Sequence, residues 1–134
     1  MPSILSIQYM NERDFLYEVK GLSEFSSPST LRRWVSENKE RFMSKLEETG
    51  AILFSDIPVK DAKEFDHFVS MFNLKVFTYK QSLSNAVRIN KTDKVFTANE
   101  APKEVEIYLH HELAQTPFYP KYIFFLCTSA SQVG

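Results

Sequence analysis

The chain has 134 residues, with 16 Lys and Arg against 17 Asp and Glu, a formal net charge of −1, and 43% hydrophobic residues. That length suits one domain, 1–134, and the near-neutral balance gives no general electrostatic grip on nucleic acid or anionic lipid. The single Cys127 excludes an intramolecular disulfide framework and a cysteine-based zinc site.

No stretch approaches the ~20 apolar residues that a membrane helix needs. Met1 to Met10 lacks a basic segment followed by a sustained apolar core, so it does not read as a secretion signal. The expectation is a soluble, cytoplasmic protein with neither nucleic acid nor membrane as partner.

Residues 3–20 mix short apolar clusters with charge and give no clear element. Ser26-Ser27-Pro28-Ser29-Thr30 then supplies cap candidates for a helix. Leu31, Trp34, Val35, Phe42 and Leu46 recur near helical spacing, with Arg33, Glu37, Lys39, Glu40 and Lys45 mostly on the other face. Glu37 and Arg41 form a favourable i,i+4 pair, and Gly50 suits the position just past the helix end because it tolerates positive φ. Ala51–Phe54 reads as a short buried strand, stopped by Ser55-Asp56 and Pro58.

Asp61 and Glu64 have the D-x-x-E spacing of a capping box and open a second helix, with a core stripe of Ala62, Phe65, Phe68, Val69 and Phe72. His67 beside that stripe reads as an ordinary surface histidine. After Asn73 the character changes to strands: 75–79, 87–89, 94–97, 104–112 and 122–127. Helices followed by a run of strands indicate an α+β protein. The order gives no regular βαβ alternation, and no glycine-rich phosphate loop is present.

Read as a strand, Val105–Glu112 puts His110 and Glu112 on one face and His111 on the other, because side chains two apart project together. One imidazole nitrogen and one carboxylate oxygen, completed by a remote histidine, make the 2-His-1-carboxylate triad of non-haem Fe(II) oxygenases. On spacing alone H-x-E is common by chance, and histidines satisfied by local hydrogen bonds are the commoner explanation.

The surroundings add to this. Gly50–Phe54 with Ile57-Pro58-Val59, the Phe65/Phe68/Val69 helix, Val95–Pro102 (V-F-T-A-N-E-A-P), Leu109–Gln115 (L-H-H-E-L-A-Q) and Tyr119–Phe125 occur in that order. Together they resemble the clavaminate synthase-like branch of the taurine dioxygenase-type superfamily, over roughly residues 30–134. The resemblance implies an Fe(II)- and 2-oxoglutarate-dependent dioxygenase. Its fold would be two N-terminal helices plus the first half of a double-stranded β-helix, or jelly-roll, core. It implies that His110 and Glu112 are iron ligands and that 2-oxoglutarate and dioxygen are consumed as a small, amino-acid-like substrate is oxidised.

Within the matched segments Asn99 and Glu100 fall near the pocket, or simply in a turn. Arg88 aligns with an arginine often seen upstream, or makes a surface salt bridge; Gln115 faces substrate. The family's second iron-binding histidine and its 2-oxoglutarate-pairing arginine lie further toward the C-terminus than this sequence reaches. The chain is therefore expected to be the N-terminal part of a larger oxygenase domain. Two alternatives stand beside the enzyme: a non-catalytic fragment or binding module self-associating through strand edges, and a zinc site completed by a partner chain.

Overall fold

The computed structural model describes residues 15–77, 88–98, 100–102, 104–114, 116–130 and 132. The chain divides into two compact units, Met1–Val59 and Lys60–Gly134.

In the first unit, strand β1 (Tyr17–Val19), a 3₁₀ turn (Leu22–Glu24), helix α1 (Pro28–Thr49) and strand β2 (Ile52–Phe54) follow in order. The two strands run parallel, with Tyr17 opposite Ile52, Glu18 opposite Leu53 and Val19 opposite Phe54. Parallel neighbours require a crossover connection, and α1 supplies it. This βαβ unit corrects the sequence reading, which assigned no element to residues 3–20. Three residues are too few to show a period, so β1 became visible only with its partner.

Helix α1 begins where a cap is available. Ser27 has extended backbone, and its Oγ accepts from the Thr30 backbone N–H at 3.3 Å, while Pro28 occupies the first turn, where no N–H is needed. The helix ends at Gly50, whose φ of +78° is left-handed and whose N–H donates to the Leu46 carbonyl at 2.9 Å. Leu31, Val35 and Phe42 are buried, as their spacing predicts. On the solvent face Glu37 pairs back to Arg33 at 3.6 Å rather than forward to Arg41; both partners are exposed, so the contribution is a few tenths of a kcal/mol.

The core of this unit is Tyr17, Val19, Leu22, Leu31, Val35 and Phe42. An aromatic chain crosses it: Phe25 to Trp34 at 5.3 Å between ring centroids, Trp34 to Phe42 at 5.2 Å, and Phe42 edge-on to Phe54 at 5.4 Å. Strand β2 is half-buried, with Leu53 facing outward. The buried carboxylate of Glu18 on β1 accepts a 2.6 Å hydrogen bond from the Ser55 hydroxyl and lies 3.2 Å from Lys20 Nζ. The Ser55 bond holds this carboxyl below the usual glutamate range against the opposing effect of burial, and Lys20 adds to the lowering.

In the second unit, α2 (Ala62–Met71) opens on Asp61, whose Oδ1 accepts from the backbone N–H groups of Lys63 and Glu64 at 2.8 and 2.9 Å. Glu64 reaches back to the Lys60 N–H at 2.7 Å, one residue before the cap. Phe68 and Phe72 are buried against one another, their rings 5.4 Å apart, and Phe72 meets Phe124 at the same distance. His67 is exposed on α2.

The strands expected after Asn73 are not formed among the described residues. An isolated antiparallel bridge joins Asn90 to Phe96, and residues 75–77, 104–112 and 122–127 belong to no ladder. Residues 78–87 lie outside the described residues, and with them parts of two expected strands. Tyr122–Cys127 nevertheless alternates half-buried with exposed at every position, which corrects the expectation of burial on both faces: Phe124 packs inward while Ile123 and Phe125 face outward. That alternation is what a strand-type sequence shows when one face packs inward, here with Phe124 against Phe72, and the other faces outward. A ladder also needs a backbone partner at about 4.8 Å, which a sequence pattern cannot supply by itself.

Candidate metal centre

The turn that follows α2 in the second unit is built from polar side chains. The Thr92 hydroxyl donates to Asp66 Oδ2 on α2 at 2.6 Å and accepts from the backbone N–H groups of Lys94 and Val95 at 3.2 and 3.0 Å. Lys94 Nζ adds a 2.9 Å bond to Ser70 Oγ and lies 3.5 Å from Asp66 Oδ1. The Thr92 bond holds the Asp66 carboxyl below the usual aspartate range, against desolvation and with help from Lys94 and Ser70. The hairpin closes through Lys91 N–H to the Val95 carbonyl at 2.8 Å and Thr97 N–H to the Ile89 carbonyl at 3.0 Å. Arg88 thus leaves a segment clamped to α2.

From there Arg88 Nη2 donates to Glu112 Oε1 at 2.9 Å, across 24 residues of chain. Both side chains are largely shielded, at 18% and 28% exposure. Glu112 is held by the turn it opens. Leu113, buried, takes a left-handed φ of +58°; the Ala114 N–H donates to the His111 carbonyl at 3.2 Å and the Thr116 N–H to the Leu113 carbonyl at 3.0 Å. A left-handed leucine costs about 1–2 kcal/mol, which burying its side chain, worth about 1.5–3 kcal/mol, offsets.

His110 is oriented by its own neighbourhood. Nδ1 lies 2.7 Å from the Tyr108 carbonyl oxygen, which only accepts, so Nδ1 carries the proton. In the neutral ring that leaves the Nε2 lone pair exposed, the tautomer commonly fixed in this way for metal-binding histidines. Nε2 stands 4.0 Å from Glu112 Oε2. Two donors on one ion at cis-octahedral or tetrahedral angles stand about 3.0–3.4 Å apart, so the pair would have to close by about 0.5–1 Å to share an ion.

The His110 ring and the Glu112 carboxylate lie beside one another, although residues 104–112 belong to no strand ladder. The turn at Leu113 and the Arg88 bond do the aiming instead. His111 points its ring at Tyr119, edge-on at 5.8 Å. Glu100 is exposed, and Asn99 and Gln115 lie outside the described residues. Of the two readings given to Arg88, the structure has the salt bridge, and its partner is the candidate ligand itself. The Thr92–Asp66 clamp went unread in the sequence; its signal was the polar turn Lys91-Thr92-Asp93-Lys94. Among the described residues no three His, Cys, Asp or Glu side chains converge, so the chain's described contribution is a two-donor set.

One imidazole nitrogen and one carboxylate oxygen are donor types that transition metals accept. Residues 18–134 match the model of the taurine catabolism dioxygenase TauD/TfdA family, and the chain belongs to that family. It is also 35% identical, over 100 residues, to a clavaminate synthase-like protein of Arabidopsis thaliana. That match covers 75% of this chain but 30% of the relative, so the chain spans less than a third of the curated protein it resembles. Among the described residues no helix is long and apolar enough to cross a membrane.

Proposed function

We propose that this chain supplies two protein ligands, His110 Nε2 and Glu112 Oε2, to the iron centre of an Fe(II)- and 2-oxoglutarate-dependent oxygenase, with further donors coming from outside the described residues. The observation that carries the reading is the 4.0 Å pair whose histidine tautomer is fixed by the Tyr108 carbonyl. When bound, the iron supplies the dioxygen and 2-oxo-acid chemistry that oxidises the substrate. The chain's own residues bind and orient: the Tyr108 carbonyl keeps the His110 proton on Nδ1, and the Leu113 turn presents Glu112. The substrate class we assign is small and amino-acid-like, by extension from the family.

The test is anaerobic addition of Fe(II) and 2-oxoglutarate, read as a visible charge-transfer band. In the longest form of the protein that can be produced, the band is expected to appear, and His110→Ala or Glu112→Ala to remove it. Its survival in both variants would move the site elsewhere. His111→Ala is expected to keep it, since that ring is engaged with Tyr119.

A further inference from the structure

We infer that Arg88 is a counter-charge that restrains cation binding at Glu112, so that the affinity of the His110–Glu112 pair is set by a third residue that is not a ligand. The inference rests on the proposed metal reading and asks what tunes it. Glu112 divides its two oxygens: Oε1 accepts from the Arg88 guanidinium at 2.9 Å, and Oε2 faces His110 Nε2 at 4.0 Å. A metal therefore meets a carboxylate that already holds a guanidinium on one oxygen.

Two opposing effects decide the sign. Holding Oε1 orients the carboxylate, and fixing one such side chain favours binding by about two- to tenfold. Glu112, however, is already positioned by the buried left-handed Leu113 and its turn hydrogen bonds, which reduces what Arg88 adds. Against this, the guanidinium on Oε1 keeps a unit positive charge within about 5–7 Å of any ion on Oε2, and repulsion of a dication at that range is worth about tenfold even in a water-like dielectric. The pair is largely shielded, so screening by salt is weaker than at an open surface. The Arg88 bond also occupies the second oxygen that a cation would use for bidentate contact. The restraint wins.

The probe is Co(II), which sits above Fe(II) in the affinity order, is stable in air and shifts nearby proton resonances. Binding is followed at the His110 ring protons by NMR in the 134-residue chain. Arg88→Met and Arg88→Gln, both neutral, are expected to bind up to about fivefold more tightly than the parent, the tenfold repulsion less the orientation lost with the Arg88 bond. Arg88→Lys, which keeps the charge and loses the planar fork, is expected to stay near the parent affinity. Circular dichroism establishes that each variant keeps its fold, and having two neutral variants guards against the failure of one.

Neutral variants that bind equally or more weakly, in a parent that binds Co(II) at His110 and loses it in Glu112→Gln, would overturn the restraint alone. A lysine variant that binds as tightly as the neutral ones would overturn it too, because charge would then not be the cause. Absence of any Co(II) effect at His110, or its persistence in Glu112→Gln, would overturn the metal reading and this inference together.

Discussion

The two units solve the same problem by different means. In Met1–Val59 an amphipathic helix crosses over between two parallel strands, and six large apolar side chains disappear into a common core. In Lys60–Gly134 one helix buries Phe68 and Phe72, while much of the remaining described chain is fixed by side-chain hydrogen bonds and ion pairs. Ile107, Leu109, Phe118 and Phe125 in that unit stay exposed. The candidate metal donors sit in the second kind of structure. Apolar packing is non-directional and fixes elements; aiming two donor atoms at one point needs directional bonds, and those are what surround His110 and Glu112.

The comparison is broken most directly by truncating one aromatic in each unit. Phe42→Ala removes a fully buried ring that touches Trp34 and Phe54, and is expected to cost about 3–5 kcal/mol in denaturant unfolding. Phe125→Ala, at an exposed position, is expected to stay within about 0.5 kcal/mol. Equal costs would mean that the units do not differ in the way described.

A smaller effect tests where the backbone itself is constrained. Gly50→Ala is expected to destabilise by about 1–2 kcal/mol because φ is +78°. The new Cβ would meet the Phe15 ring at an ordinary 3.7 Å, so the cost is conformational rather than steric. A Gly50→Asn variant is expected to lose less, since asparagine tolerates this region better. The caps come next: Ser27→Ala and Asp61→Ala are each expected to cost about 1 kcal/mol, read as a lower thermal midpoint.

The polar clamp of the second unit is sharpened by pH. Asp66 has its carboxyl lowered in the folded chain, mainly by the Thr92 bond. A lowered folded value means that the stabilisation is complete above the unfolded aspartate value of about 4 and is lost as pH falls through the lower folded value. Amide-exchange protection of the Asn90–Phe96 turn is therefore expected to drop in acid below about pH 4. In Asp66→Asn that acid step is expected to vanish and protection to be lower throughout. The same acid step in both proteins would assign the effect to another carboxylate.

Much of the helical structure was legible in the sequence for local reasons. Ser27 with Pro28, Gly50, and Asp61 with Glu64 are contacts between residues a few positions apart, so their chemistry can be read without knowing the fold. The apolar spacing of α1 and α2 likewise named Leu31, Val35, Phe42, Phe68 and Phe72 as buried. The strand readings fared worse. Val105–Glu112 and Tyr122–Cys127 carry strand-forming residues, but pairing depends on a partner that residue types do not specify. Strand β1 shows the converse: Tyr17-Glu18-Val19 has no pattern of its own and is a strand because Ile52–Phe54 lies beside it.

By itself, the sequence determined the family, the helices with their caps, and the identity of His110 and Glu112 as candidate donors. The helices and caps follow from residue type and short spacing, which no folding step can alter; the family and the two candidate donors came from a resemblance carried by segments along roughly residues 30–134. Only the tertiary structure decided how the donors are aimed. The Nδ1 bond to the Tyr108 carbonyl, the left-handed turn at Leu113 and the reach of Arg88 to Glu112 each depend on torsions or on a contact 24 residues apart. Such contacts form when the backbone brings distant residues within hydrogen-bond range, and that distance is a property of the folded chain.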